Sequence, residues 1–375
     1  MTWADRRREV RQPVGCMETN QGSVSLERAP VDPGVTIKLG LDVHALQITL
    51  CRQNDGRLPQ PAQQCTWAEV VRLATELRRG GAAVYSCYEA GPCGYGLHRQ
   101  LVALGVINYV VAPQRWDERG RRVKTDKRDA RELCNRLDRY VRGNTDAFSI
   151  VRVPSPEQEQ ARALTRQRGA VLKERQRCVV RGHGLMLAQG VHAPEGWWRP
   201  PVWRRFAPDL PMWLCAHIAW WQEQAARLDA EVTALTQRVE ALSHGHVIPK
   251  GLGALTSAIL QTEILDWHRF RNRRQVGCYT GLCPSEHSTG TRRKQGAVTK
   301  HGNPRVRHQL VEAVWRLLQW QPEYPPLAKI RAATSTRARK RATVAAARRL
   351  AVDLWRINTG QCSAQRLGLK LNLAE

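Results

Sequence analysis

Between Val35 and Ala112 the apolar residues switch repeatedly between a two-residue and a three-to-four-residue period, and few folds accept that alternation. Val35 to Val43 alternates and is β-branched at its start, and Gln47 to Cys51 follows after a short turn. Asn54-Asp55-Gly56 signals another tight turn. Thr66 caps a predicted helix that runs to about Arg79, with Val70, Val71, Leu73, Ala74 and Leu77 on its apolar face; Gly80-Gly81 ends it. Ala82 to Tyr88 reads as a buried strand, Tyr95 to Leu104 as a helix, and Val106 to Ala112 as a strand. This order predicts an α/β domain with antiparallel strands first and parallel crossovers after.

The rest of the chain reads differently. Residues 1–34 are polar, rich in Pro and Gly, and predict a flexible leader before a domain at 35–150. A helix is expected from Thr125 to about Tyr140, and Pro154-Ser155-Pro156 marks a boundary. A long polar helix starts near Glu157. After a connector holding Trp197, Trp198 and Trp203, a second helix runs from about Met212 to Leu242. Its apolar residues Trp221, Ala225, Leu228, Val232, Leu235, Val239 and Leu242 alternate steps of four and three, the seam of a coiled coil. Three heptads serve an intramolecular hairpin or a dimer contact equally well, and the segment 151–246 is assigned as helical coiled coil and linker. In 247–375, Ile248-Pro249-Lys250-Gly251-Leu252-Gly253 opens a helix from Ala254 to Ile264, either as a phosphate-presenting turn or as a simple one. Gly277 to Asn303 reads as a basic loop, Pro304 to Leu318 as a helix, and Lys329 to Arg349 as an Arg/Ala-rich helical tail suited to lie along a nucleic-acid backbone.

Charge narrows the partner. Fifty-nine Lys and Arg stand against 33 Asp and Glu, a net charge of +26. A surplus of that size repels itself unless a polyanion neutralises it, so nucleic acid is the expected partner rather than a merely solvated basic surface. No run of about eighteen apolar residues exists, so no membrane span is expected. The eleven Cys residues are scattered without a C-x-x-C pair, which predicts reduced thiols in a cytoplasmic protein.

Four acids stand out by position. Asp42 ends the first strand and Glu89 follows the strand Ala82 to Tyr88, the edge where α/β sheets place their sites. Asp126 and Asp129 are spaced i, i+3 behind Thr125, a predicted N-cap, so both carboxylates share one helical face. Taken singly, Asp126 and Asp129 also fit as first-turn acids answering the helix dipole, and Glu89 as a helix cap. Together in a basic protein they form an oxygen cage for hard divalent cations, which favour carboxylates and leave room for substrate phosphate.

The blocks Leu39-Gly40-Leu41-Asp42-Val43-His44, Tyr88-Glu89-Ala90-Gly91-Pro92 with Gly94-Tyr95, and Lys124-Thr125-Asp126 through Asp129-Ala130 resemble the DEDD insertion-sequence transposases. So does the run from Gly277 to Gly290, followed by Lys294, Gly296, Lys300, Gly302-Asn303 and Arg307, which is similar to that family's C-terminal domain. The resemblance implies an α/β ribonuclease H-like (RuvC-like) domain, then a helical coiled-coil segment and a mainly α-helical transposase domain. It implies that Asp42, Glu89, Asp126 and Asp129 are a tetrad holding Mg²⁺, with Mn²⁺ as the alternative. It implies a serine nucleophile that links covalently to DNA, assigned to Ser288; Thr289, directly before the glycine, and Ser285 are the alternatives. Arg292, Arg293, Lys294, Lys300 and Arg307 are the expected nucleic-acid contacts, and Trp197, Trp198 and Trp203 either stack on unpaired bases or pack the connector. Donor and target DNA, a structured guide RNA and a second copy of the chain, as homodimer or homotetramer, are the implied partners, in a nucleoid-associated cytoplasmic protein. A hydrolytic RuvC-like nuclease or junction resolvase, and a non-enzymatic nucleic-acid binder, are the competing readings.

Overall fold

The structure, a computed structural model, describes residues 34–113, 125–243, 248–287, 289 and 294–371. The leader expected at 1–34 lies outside them except for its last residue. The chain divides into two units, Met1–Val153 and Pro154–Glu375.

In the first unit, β1 (Thr36–Val43) pairs antiparallel with β2 (Ile48–Asn54), and β2 pairs antiparallel with β3 (Gln63–Cys65). On its other side β1 runs parallel to β4 (Ala83–Glu89), and β4 parallel to β5 (Ile107–Val111). The sheet order is β3-β2-β1-β4-β5, a mixed arrangement compatible with a ribonuclease H-like domain. The antiparallel-then-parallel order matches the expectation. The edge strand β3 was not anticipated: three residues, two of them glutamine, carry no periodicity to read.

Helices cover both faces. α1 (Trp67–Arg79) begins in a capping box between Thr66 and Glu69, as the expected Thr66 cap requires. With α2 (Gly96–Ala103), it supplies Val70, Leu73, Leu77, Leu97 and Leu101 to the core over Ile37, Leu39 and Leu41 of β1. The opposite face of β1 therefore carries Lys38, Gly40 and Asp42, since strand side chains alternate. That face meets α3 (Asp126–Val141): Lys38 Nζ lies 2.7 Å from Asp138 Oδ1, and Gly40 lies against the backbone of Ala130 and Cys134. The two periods match, because two residues of strand and four of helix each advance about 6 to 7 Å. Residues 38, 40 and 42 thus step past 138, 134/130 and 126. Thr125 is the N-cap of α3 but its side chain makes no capping hydrogen bond, so the first-turn acids Asp126 and Asp129 are the groups facing the helix dipole.

In the second unit, α4 (Pro156–Leu187) pairs with α6 (Met212–Ala241), joined through a connector containing the short α5 (Pro200–Phe206). The pairing is antiparallel, since Arg168 bonds Thr236, Arg175 bonds Asp229, and Arg181 lies over the ring of Trp221. The heptad residues Ala225, Val232, Leu235 and Val239 are buried on α6, so the seam serves a hairpin within the chain. In the connector, Trp197 is 2% exposed, and a Cβ on Gly182 would lie 2.4 Å from its ring. Trp198 and Trp203 pack onto the same cluster. Of the two readings offered for these tryptophans, the structure gives packing.

Beyond the hairpin, α7 (Ala254–Ile264) holds its predicted bounds. The basic loop expected from Gly277 to Asn303 needs correction. It contains the end of α8 (Arg273–Thr280) and a hairpin of β6 (Pro284–Glu286) and β7 (Gln295–Val298). α8 escaped notice because it is short and strongly polar at its start, where Asn272 caps it. α9 (Pro304–Trp320) follows an Asn303 cap with Pro304 at its first turn. After α10 (Ala328–Arg331) comes α11 (Thr336–Asn358). α11 contains most of the expected Arg/Ala-rich helix but is also a core helix: Ala346, Ala347, Leu350, Ala351 and Leu354 are buried against α9, and the Arg residues occupy the outer face.

Glu263 of α7 ties the second unit together. Its side chain is fully buried, and it accepts two 3.1 Å bonds from Arg166 of α4 and one of 2.9 Å from Asn303. Burial pushes its carboxyl up, but these hydrogen bonds and the charges of Arg166 and Arg162 outweigh that and hold it below the ordinary Glu range. A carboxyl lowered on folding stabilises fully above its unfolded value, near ~4.3, and the benefit is lost as pH falls through the folded value. Glu263→Gln is therefore expected to lower the melting temperature by several degrees at about pH 7, roughly 2 kcal/mol. That is less than a fully buried pair would cost, because Arg166 is 43% exposed and reaches water. The deficit should shrink when both proteins are melted near pH ~3.5; an unchanged deficit would mean the charge is not its source.

Candidate active site

Asp42 is the last but one residue of β1, paired with Thr49, and its side chain points to the α3 side of the sheet. Two residues on, the chain leaves the strand at His44. The His44 N–H donates to Gln47 O at 3.0 Å, and Trp67 Nε1 donates to His44 O at 3.1 Å, which pins this residue to the β1–β2 turn and to the start of α1. His44 Nε2 then lies 3.3 Å from Asp42 Oδ2 and 3.7 Å from Asp126 Oδ2. Ligand atoms of Asp42, His44 and Asp126 all fall within 4.8 Å of one another.

Glu89, at the end of the parallel neighbour β4, lines with Asp42, His44, Trp67 and Pro92 a cleft of about 540 Å³. Asp129 stands one turn along α3 from Asp126, near enough for its charge to act on Asp42. Burial pushes the Asp42 carboxyl above its ordinary range, and the charges of Asp126 and Asp129 push the same way, while His44 opposes them through its charge and hydrogen bond. Carboxylates gathered this closely raise one another's proton affinity, and a cation relieves the repulsion. Two carboxylates and an imidazole nitrogen gathered this closely are a donor set whose chemistry fits a divalent metal ion.

The structure thus brings Asp42 and Asp126 together, with Asp129 and Glu89 at the same edge. His44 was missed as a contributor, although it sat inside the quoted Asp42-Val43-His44 run. An Asp-x-His spacing at a strand end puts both side chains on one side of the sheet, which was the available signal.

Of the residues expected to act in the second unit, Ser288, Arg292 and Arg293 lie outside the described residues. Thr289 and Lys294 are exposed, and Ser285 is half-buried within β6. Lys300 adopts a left-handed conformation, φ 56°, where the chain returns from β7. Arg307 has a structural task there: its Nη1 donates to Thr280 O and Lys300 O, both at 3.2 Å. Gly302 is required at this crossing, since a Cβ would come within 2.5 Å of Gly281 N and Tyr279 O.

Sequence reading also missed a basic cleft of about 1230 Å³ between α8, the β6–β7 hairpin and α11. Arg273, Arg274, Arg337, Lys340, Arg341 and Arg348 line it, with Arg349 and Arg356, which lean on the buried Asp353. Among the described residues no acid lines its wall. A concave surface of one sign focuses its field and concentrates counter-charged ligands. No described helix is long and apolar enough to cross a membrane.

Residues 249–327 match the sequence profile of the family described as Transposase IS116/IS110/IS902. Two Sinorhizobium fredii proteins named as transposases are similar. The one called y4rJ is 34% identical over 260 residues, 62% of this chain and 65% of that protein, just short of two thirds of its length. The one called y4qE is 31% identical over 309 residues, 77% of this chain and 72% of that protein. The transposase for insertion sequence element IS1111A of Coxiella burnetii is 23% identical over 345 residues, 86% of this chain and 90% of its own length. Identity above 30% along most of y4qE, with a profile match in the helical second unit, means that this chain belongs to the IS116/IS110/IS902 family of transposases.

Proposed function

We propose that this chain is an insertion-sequence transposase that cuts and rejoins DNA strands by metal-assisted phosphodiester exchange. The observation that carries this reading is the approach of Asp42, from the end of β1, to Asp126, from the first turn of α3, with ligand atoms within 4.8 Å of each other. These residues, with Glu89 and Asp129, would hold Mg²⁺ or Mn²⁺. When bound, such ions supply positive charge that steadies the attacking and leaving oxygens of the exchange.

The chain's own residues do the rest. Burial on the α3 side keeps the Asp42 carboxylate oriented, and the cleft beside Glu89 leaves space for a phosphate. In the second unit, Ser288 is the proposed nucleophile, with Thr289 as the alternative. Its hydroxyl gives up a proton as the new O–P bond forms, the bridging P–O bond breaks, and the departing oxygen takes a proton; rejoining runs the exchange backwards without net hydrolysis. Arg292, Arg293 and Lys294 follow that serine closely in the sequence and would answer the charge of the phosphate. The cleft lined by Arg337, Lys340 and Arg341 supports grip on a nucleic-acid backbone, and the chain's net charge of +26 fits an enzyme that holds DNA and a structured guide RNA at once. Exchange between two sites calls for two such centres, hence a dimer or tetramer.

The test is an adduct assay on DNA carrying the element's ends, with its flanking non-coding RNA, in Mg²⁺. A protein–DNA species that survives denaturation is expected, absent in Ser288→Ala and retained in Thr289→Val. Retention in Ser288→Ala with loss in Thr289→Val would move the nucleophile to Thr289. Free hydrolysed ends with no covalent species would replace this reading by the hydrolytic nuclease.

A further inference from the structure

A coordination shell built from carboxylates alone suits Mg²⁺, and an imidazole nitrogen changes that preference. His44 contributes such a nitrogen at the edge of the sheet. Its Nε2 is 3.3 Å from Asp42 Oδ2 and 3.7 Å from Asp126 Oδ2, oxygens that come from different elements of the fold. Atoms bound about 2.1 Å from a common ion lie roughly 3.0 Å apart when adjacent in an octahedral shell and about 4.2 Å apart when opposite. Both separations from His44 Nε2 lie between those values, and the three ligand atoms together spread over no more than 4.8 Å, about half an ångström wider than a closed shell allows. Small side-chain adjustments would close the shell without moving the backbone.

The backbone is also held. His44 is tied through its N–H to Gln47 and through its carbonyl to Trp67, so its ring is presented from a fixed point although half of the side chain is exposed. One ring nitrogen lies within 3.7 Å of two carboxylates from different elements, a position from which it can share a ligand shell with both.

We propose that His44 is itself a metal ligand, completing a set with Asp42 and Asp126 and tilting the site from Mg²⁺ toward Mn²⁺ and other cations that accept nitrogen. This rests on the metal-site reading above and adds a residue and a selectivity to it. Imidazole binds first-row transition ions far better than Mg²⁺, which prefers oxygen and gives up water reluctantly. Removing the ring therefore weakens Mn²⁺ much more than Mg²⁺.

The experiment is direct metal binding by the full-length chain, with and without a short DNA duplex. Bound Mn²⁺ is followed by electron paramagnetic resonance, and Mg²⁺ by competition against it. The wild type, His44→Ala and Asp42→Asn are compared. His44→Ala is expected to weaken Mn²⁺ by at least about 10-fold while changing Mg²⁺ by less than about 3-fold, and Asp42→Asn to weaken both. Nitrogen hyperfine coupling should be present on Mn²⁺ in the wild type and absent in His44→Ala. Unchanged Mn²⁺ affinity in His44→Ala, with Asp42→Asn still impaired, would overturn the role of His44 and leave the carboxylate site standing. A rise in affinity for both ions in His44→Ala would also overturn it, marking the ring as a competing internal cation. If the wild type bound neither ion at millimolar concentration, with or without duplex, the metal-site reading itself would fall.

Discussion

Asp42→Asn is expected to reduce strand transfer by at least about 1000-fold, roughly 4 kcal/mol of transition-state stabilisation, without destabilising the fold. The activity loss follows from taking one oxygen charge out of a group in which Asp42 is the most enclosed member of the triad, its side chain 23% exposed against 49% for His44 and 47% for Asp126. The stability expectation follows from the sign of its ionisation. Burial, then the neighbouring acids, raises the Asp42 carboxyl above its unfolded value despite the help of His44. The folded state therefore holds the proton more tightly than the unfolded chain, and stability falls as pH rises from the ordinary Asp value through the raised one. Above that window the wild type carries the full cost of an ionised Asp42, and asparagine does not. A melting temperature at neutral pH equal to or above wild type, beside lost strand transfer, is the expected pair of results. Full activity would remove Asp42 from the chemistry; a folding collapse would make it a structural residue.

Gly40→Ala should have the largest effect on the fold. A methyl group there would lie 2.3 Å from Ala130 O, 2.4 Å from Cys134 N and 2.9 Å from Cys134 Cα. All three are main-chain atoms of α3, so no side-chain rotation can make room. The helix must move off the sheet, and the cost belongs at the top of the range for overpacking, about 3 kcal/mol or more. For a unit of this size that is a fall of roughly 6 to 12 °C in melting temperature. The same displacement separates Asp42 from Asp126, so activity should fall even at temperatures where the variant stays folded. Gly91→Ala is the stability control, since its added methyl meets only Glu89 O at 3.9 Å. If Gly40→Ala melted like Gly91→Ala, the close packing of β1 on α3 would not be what sets the site's geometry.

Much of the first unit could be read from residues alone. The alternation of Ile37, Leu39 and Leu41 with Lys38, Gly40 and Asp42 announces a strand with one apolar face, and Thr66 with Glu69 announces the start of α1. Asp42 and Glu89 could be placed at strand ends because charges at those positions are intolerable further inside. β3 was invisible because pairing with β2, rather than any preference of Gln63, Gln64 and Cys65, makes it a strand. The second unit was read less well. An Arg/Ala-rich stretch has the same composition whether it trails along a phosphate backbone or packs a core. Only the burial of Ala346, Ala347 and Leu350 distinguishes α11 from a tail.

Local chemistry, written in the order of side chains, was enough to settle the type of the strongly periodic elements and the positions of the acids along them, because periodicity and capping act over a few residues. What required the folded chain was adjacency. Residues 42 and 126 are far apart in sequence, and the distance between His44 and Asp126 has no local signature. Those approaches depend on a glycine thin enough to let a helix rest on a strand, and on two repeat lengths that coincide across the contact. The cleft formed by Arg273, Arg341 and Arg348 exists for the same reason: α8 and α11 pack through their apolar faces, and their charges are left on a shared wall.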